Sequence, residues 1–282
     1  MSTKWKPRSS QLGGYLNCSY RAAFDRALAE GLMELEPKEA EVVAAARVSS
    51  PAASFGTWAH FVLQDGLGCE FEGGREAHKP APEVVVSATS IYANDFEATA
   101  AAVRQCATIA AKHMPIPKDG RPWLAEASCT TSFLSGHLDF LSQDRLHVVD
   151  LKTTSRMPTN GKAKAEHIAQ VCGAYPLLVF ERFGIMPTTA TILYVDSGAG
   201  WACPVTIDLT TKERVQYIQQ TKDYAQFLRS KGLFKMTMPV LGPHCSDGWC
   251  PYRSICADRL KASGESSEHG VPPTATMRSK GL

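Results

Sequence analysis

Apolar residues recur at helical spacing over residues 11–32, where Leu12, Tyr15, Leu16, Phe24 and Leu28 form one stripe. That is the pattern of an amphipathic helix, and Ser9 or Ser10 can cap it. Residues 53–67 (ASFGTWAHFVLQDGL) predict a second helix, and the alanine-rich residues 88–113 a long third one. Residues 114–122 (MPIPKDGRP) punctuate the pattern as a loop. From Trp123 the period shortens to two. Residues 123–134 predict a strand, and residues 136–156 (GHLDFLSQDRLHVVDLKTTSR) a hairpin around Ser142–Arg145. Helical spacing returns over 162–183, with Pro176 expected to kink the helix. Residues 188–196 and 201–208 predict two further strands, and 210–232 a late amphipathic helix. No internal repeat is present. The order predicts a mixed α/β core with an N-terminal helical portion.

The hairpin carries charge where a strand pair usually carries none. Asp150 and Lys152 share one face of their strand, and Asp139 lies in the strand before. If the two strands pair antiparallel, two carboxylates and an ammonium converge. Burying carboxylates is costly unless they are paired or bound to a cation. Two readings are open. One is a surface ion pair between Asp150 and Lys152, worth about 0–1 kcal/mol. The other is a metal site with Asp139 and Asp150 as hard oxygen ligands for Mg²⁺ or Mn²⁺ and Lys152 beside them.

Composition narrows the setting without choosing between these. The 282 residues are 44% hydrophobic and 21% charged, the balance of an ordinary globular protein. No apolar run approaches the ~20 residues that span a bilayer, and residues 1–14 lack the hydrophobic segment of a secretory signal. A cytoplasmic protein with no membrane partner is the expectation. The net charge of +2 is far from that of a nucleic-acid-coating protein, though a local basic groove can hide in the sum.

The nine cysteines are then expected as thiols or metal ligands rather than disulfides. Cys245, Cys250 and Cys256 stand in HCSDGWCPYRSIC, with glycine and proline to bend the backbone into a metal knuckle. A tetrahedral site or an iron–sulfur cluster needs a fourth ligand. His244 would complete a zinc site and Cys18 a thiolate set. Cys69, Cys106, Cys129, Cys172 and Cys203 fall in strand and helix patterns and are simplest as small core residues.

Taken together, these motifs resemble those of a PD-(D/E)xK nuclease of the RecB-like, AddB-like group that carries an iron–sulfur cluster, a group that includes CRISPR-associated adaptation exonucleases and phage-encoded relatives. GTWAH (56–60) resembles the G-x-x-x-H helix, GHLD (136–139) the G-x-x-D strand and VVDLKT (148–153) the (D/E)-x-K strand. The resemblance covers about residues 10–257. It implies a restriction-endonuclease-like mixed central sheet flanked by helices, divided into an N-terminal helical portion (1–50), a nuclease core (51–235), a Cys-cluster segment (236–260) and a disordered tail (261–282).

The resemblance also implies chemistry. His60, Asp139, Asp150 and the carbonyl of Leu151 would bind Mg²⁺ or Mn²⁺, with Lys152, Glu126 and Gln170 completing the catalytic set. Cys18, Cys245, Cys250 and Cys256 would hold a 4Fe–4S cluster. The activity implied is a DNA exonuclease working on single strands or duplex ends in recombination, repair or CRISPR-type processing, with partner proteins from those systems. Two features depart from the family. Tyr175 falls five residues after Gln170 instead of four, about 500° of α-helix, which takes it off Gln170's face and out of the expected site. The cysteine spacing is looser than the C-x2-C of many members, so zinc stays open as the alternative occupant. Two other functions stay open as well: a catalytically inactive DNA-binding module of the same fold, and a zinc-binding regulatory protein.

Overall fold

The computed structural model describes residues 5–47, 50–196, 198, 200–230, 250–252 and 256. Cys245 and the tail 261–282 lie outside them. The helices are α1 (Leu12–Asn17), α2 (Ser19–Ala29), α3 (Pro37–Arg47), α4 (Pro51–Gly66), α5 (Pro82–Thr89), α6 (Phe96–His113), α7 (Ala165–Ile168), α8 (Tyr175–Phe183) and α9 (Lys212–Arg229). The strands are β1 (Glu70–Phe71), β2 (Leu124–Thr130), β3 (Ser135–Leu141), β4 (His147–Thr154), β5 (Thr189–Asp196) and β6 (Ala202–Asp208). They make one six-stranded sheet in the order β1-β2-β3-β4-β5-β6. β1/β2 and β4/β5 are parallel and the remaining pairs antiparallel, a mixed sheet.

The chain forms two compact units. The larger comprises residues 7–13 and 49–225. One face of its sheet carries α4 and α6, whose Phe55, Ala59, Leu63, Val103, Ala107 and Ala110 pack on Phe140, Val149, Leu151, Leu193 and Val195. Ser50 caps α4 by accepting the Ala53 N–H over 3.2 Å, with Pro51 opening the helix. α8 and the helical turn before it cover β2, β3, β4 and β5 from the other side. The central strands are buried on both faces over Val148–Leu151 of β4 and Ala190–Val195 of β5.

Among the described residues the smaller unit comprises 5–6, 14–47, 226–230, 250–252 and 256. Phe24, Val43, Tyr252 and Cys256 form its apolar cluster, with Leu28, Met33, Leu35 and Cys250 packed against it. The rings of Phe24 and Tyr252 stack at 4.8 Å. Asp25 accepts both the Tyr15 and the Tyr252 hydroxyl, over 2.7 and 2.6 Å.

Local expectations are corrected at three places. The N-terminal stripe is two helices, because Cys18 takes an extended backbone (φ −150°, ψ 92°) and caps α2. Asn17-Cys18-Ser19 is a run of poor helix formers, which lets the helix restart there. The alanine-rich segment is also interrupted. Ala93 and Asn94 turn left-handed (φ 53° and 64°), and Asp95 recaps α6 by accepting the Ala98 N–H over 2.9 Å. Pro176 sits at the start of α8, where its missing N–H coincides with a change in helical hydrogen bonding.

Candidate active site

β3 and β4 pair through Phe140–Val149 and Leu141–Val148, and then part. Asp139 sits in this fork. Its Oδ2 accepts the Leu151 N–H over 2.9 Å, so a carboxylate replaces a ladder bond. The same oxygen lies 3.4 Å from Nδ1 of His60. His60 reaches it because α4 lies close on β4: a Cβ at Gly56 would come within 2.8 Å of Thr153 Oγ1. The glycine of the G-x-x-x-H pattern therefore has a packing reason for its place.

Glu126 stands across from Asp139 on β2, between the paired rungs Ala125–Phe140 and Ala127–Leu138. Its φ of 53° is a left-handed value that a non-glycine residue rarely adopts within a strand. Gln64 steadies it. The buried Gln64 amide donates to Glu126 Oε1 over 2.9 Å and to the Asp139 carbonyl over 3.1 Å. Gln64 was absent from the expected site. The signal for it is its spacing, one turn beyond His60 and two beyond Gly56 on the same helix face.

His60, Glu126 and Asp139 each bring a ligand atom within 4.8 Å of the others, and no other His/Cys/Asp/Glu group among the described residues does so. They open into a cleft of about 620 Å³, lined also by Leu151, Lys152, Phe61 and His78.

Asp150 stands outside that triplet. It is completely buried, which rules out the surface ion pair. Tyr175 donates its hydroxyl to Asp150 Oδ1 over 2.9 Å. The Lys152 ammonium lies 2.8 Å from Oδ2, off the direction of a hydrogen bond, and leaves that oxygen buried without an aligned donor. Lys152 donates instead to Gln170 Oε1 over 3.2 Å, and Gln170 Nε2 donates to the Tyr175 oxygen over 2.7 Å. Asp150, Lys152, Gln170 and Tyr175 thus close a ring.

The expectation that Tyr175 falls off Gln170's face is corrected here. Residues Ala169–Ala174 form a π-helical turn, and the Tyr175 N–H bonds to the Gln170 carbonyl five residues back. A π turn absorbs one extra residue, so positions i and i+5 meet as i and i+4 do in an α-helix.

Electrostatics follow burial. Burial raises the Asp139 carboxyl above the usual range; His60 and Lys152 pull it back and Glu126 adds to it. Burial raises Asp150 too, against the pull of Lys152. For Lys152 burial acts downward, but Asp150 and Asp139 outweigh it and hold the proton more firmly than usual. Burial and the Asp150 charge push the Tyr175 phenol well up, so it stays a donor.

Cys18, Cys250 and Cys256 belong to the smaller unit, with Cys250 and Cys256 at its apolar cluster and Cys18 as the α2 cap. Burial raises Cys69, Cys106 and Cys172 to about 12, 11 and 12, as for thiols held in a core.

The residues of the cleft fit a divalent cation. Hard carboxylate oxygens and one imidazole are the donors. A His/Glu/Asp triplet able to hold a cation, with a lysine beside it, thus sits in the fork of a mixed sheet flanked by helices, a restriction-endonuclease-like fold. Residues 9–257 match the PD-(D/E)XK nuclease superfamily, and the chain belongs to that superfamily. Its members use Mg²⁺ or Mn²⁺ and act on DNA. No curated protein is significantly similar to the chain. The solved structure of SSO0001 is similar at 14% identity and a TM-score of 0.32, covering 61% of this chain and 79% of that one. Likeness at that level says nothing about function. Among the described residues no helix is long and apolar enough to cross a membrane.

Proposed function

We propose that the protein is a divalent-metal-dependent DNA exonuclease that also carries a 4Fe–4S cluster and serves recombination, repair or CRISPR-type DNA processing. The observation that carries the nuclease reading is the meeting of His60, Glu126 and Asp139 within 4.8 Å, in the cleft that Lys152 also lines.

In this reading His60, Glu126 and Asp139 hold the cation, with Asp150 and the Leu151 carbonyl next to them. Bound Mg²⁺ or Mn²⁺ would offset charge on the phosphoryl oxygens and acidify a water. An imidazole among the ligands favours Mn²⁺, because nitrogen is the softer donor. The chain does the positioning. The Leu151 N–H and His60 fix Asp139, Gln64 fixes Glu126, and Gln170 and Asp150 aim the Lys152 ammonium. A positive group set in advance beside the reacting phosphate stabilises the charge that develops there. Cys18, Cys245, Cys250 and Cys256 bind the cluster, which has a structural role.

Linear DNA labelled at either end and circular DNA labelled internally, each incubated with Mn²⁺, test the reading. Wild type should release nucleotides from linear DNA and spare circles, and Lys152→Ala should lose at least about 100-fold in rate. Inert wild-type protein, or full activity in Lys152→Ala, overturns it; cleavage of circles removes the exonuclease assignment.

A further inference from the structure

His78 and Phe61 line the same cleft as the cation-binding triplet, yet the proposed mechanism uses neither. Both belong to an ordered series of rings. The His78 imidazole stacks on Phe71 at 5.7 Å with 25° between planes, and Phe71 meets Phe61 at 6.2 Å and 44°. The His78 Nε2 lies 2.6 Å from the Glu72 carbonyl oxygen, where as an N–H it donates and fixes the ring. Arg75 lies over Phe61, its guanidinium carbon 5.5 Å from the ring centre, and its Nε pairs with Asp65 at 2.5 Å. Small groups, Ala52, Ala53, Gly56 and Thr57, also line the cleft. The cleft therefore has an aromatic wall made of His78, braced by Phe71, and of Phe61.

We infer that His78 and Phe61 form a stacking platform for an unpaired nucleobase next to the scissile phosphate. The inference rests on the nuclease reading. Bases inside a duplex are stacked and paired, and their faces cannot reach a side-chain wall; an unpaired base can. Stacking on aromatic rings is indifferent to base identity, because every base has a π face. A wall held in place by Phe71 and the Glu72 carbonyl loses little freedom when a base lands on it. The competing role is structural: the rings would merely pack the segment from Phe71 to His78 onto α4.

Substrates with and without bases separate the two. With Mn²⁺, kcat and KM are measured on an oligothymidylate, on the same strand with one abasic nucleotide beside the cleaved bond, and on bis(p-nitrophenyl) phosphate. In His78→Ala the ratio of oligonucleotide to small-ester kcat/KM should fall about 5- to 100-fold, mainly through KM. His78→Phe, which keeps the π face, should restore the ratio. The abasic strand should be poor for wild type and no worse for His78→Ala. An unchanged ratio, equal loss on both substrates, or an abasic strand cut as well as the intact one overturns the platform. If wild type cuts nothing, the nuclease reading fails instead. The platform is then tested by binding of a 2-aminopurine oligonucleotide in EDTA: base stacking should quench its fluorescence in wild type and less in His78→Ala, and equal quenching in the two overturns it.

Discussion

The hydroxyl of Tyr175 donates to the buried carboxylate of Asp150 over 2.9 Å, although Tyr175 stands five residues after its other partner, Gln170. The π turn at Ala169–Ala174 makes this possible and ties the helical layer to the strand that carries Lys152.

Tyr175→Phe removes a donor from a fully buried carboxylate and an acceptor from Gln170. It should cost about 1–3 kcal/mol in urea unfolding. It should also slow DNA cleavage, because Lys152 shares the same ring of contacts. Wild-type stability together with wild-type activity would show that the ring has no function.

The raised carboxyls of Asp139 and Asp150 set a pH dependence. A carboxyl whose folded pKa lies above its unfolded value of about 3.9 favours folding most below that value, and loses this contribution as pH rises through the folded pKa. The metal-free protein therefore has a charge penalty at neutral pH that a cation relieves. The rise in Tm caused by Mn²⁺ should be larger at pH 7.5 than at pH 5. An equal rise at both would mean that the cation binds elsewhere.

Glu126 is in the triplet and Asp150 is outside it, so the two should differ in metal binding. Glu126→Gln should weaken Mn²⁺ binding at least about 10-fold by calorimetry. Gln64→Ala should weaken it less, through loss of the hydrogen bond that holds Glu126. Unaltered affinity in Glu126→Gln would remove that residue from the ligand set.

Anaerobically purified protein should be brown and carry about four irons per chain, and Cys250→Ser should bleach it and lower its Tm. Colourless protein containing zinc would establish the alternative occupant.

Much of this arrangement was legible in the chain. Asp139, Asp150 and Lys152 could be named because strand alternation places polar residues where apolar ones belong, whereas His60, Glu126 and Gln170 are named only through the resemblance of their motifs to the family. Asp150's separation from the triplet was not legible, since it depends on where β3 and β4 stop pairing. Nor was Tyr175, whose place requires a turn that departs from α-helical geometry. β1 is two residues long, too short to show a period. Of the described side chains of α3 Val43 alone is buried.

Glu126, Asp139, Asp150, Lys152 and His60 all stand on strands or on α4, whereas His78 belongs to the short connection between β1 and α5. In such a division of labour the bond-breaking apparatus inherits the stiffness of the sheet, and the taste for a given polynucleotide is left to a few exchangeable residues. If His78 stacks a base as inferred, exchanging the connection between β1 and α5 should alter the preference for single strands and leave cleavage of a small ester unchanged.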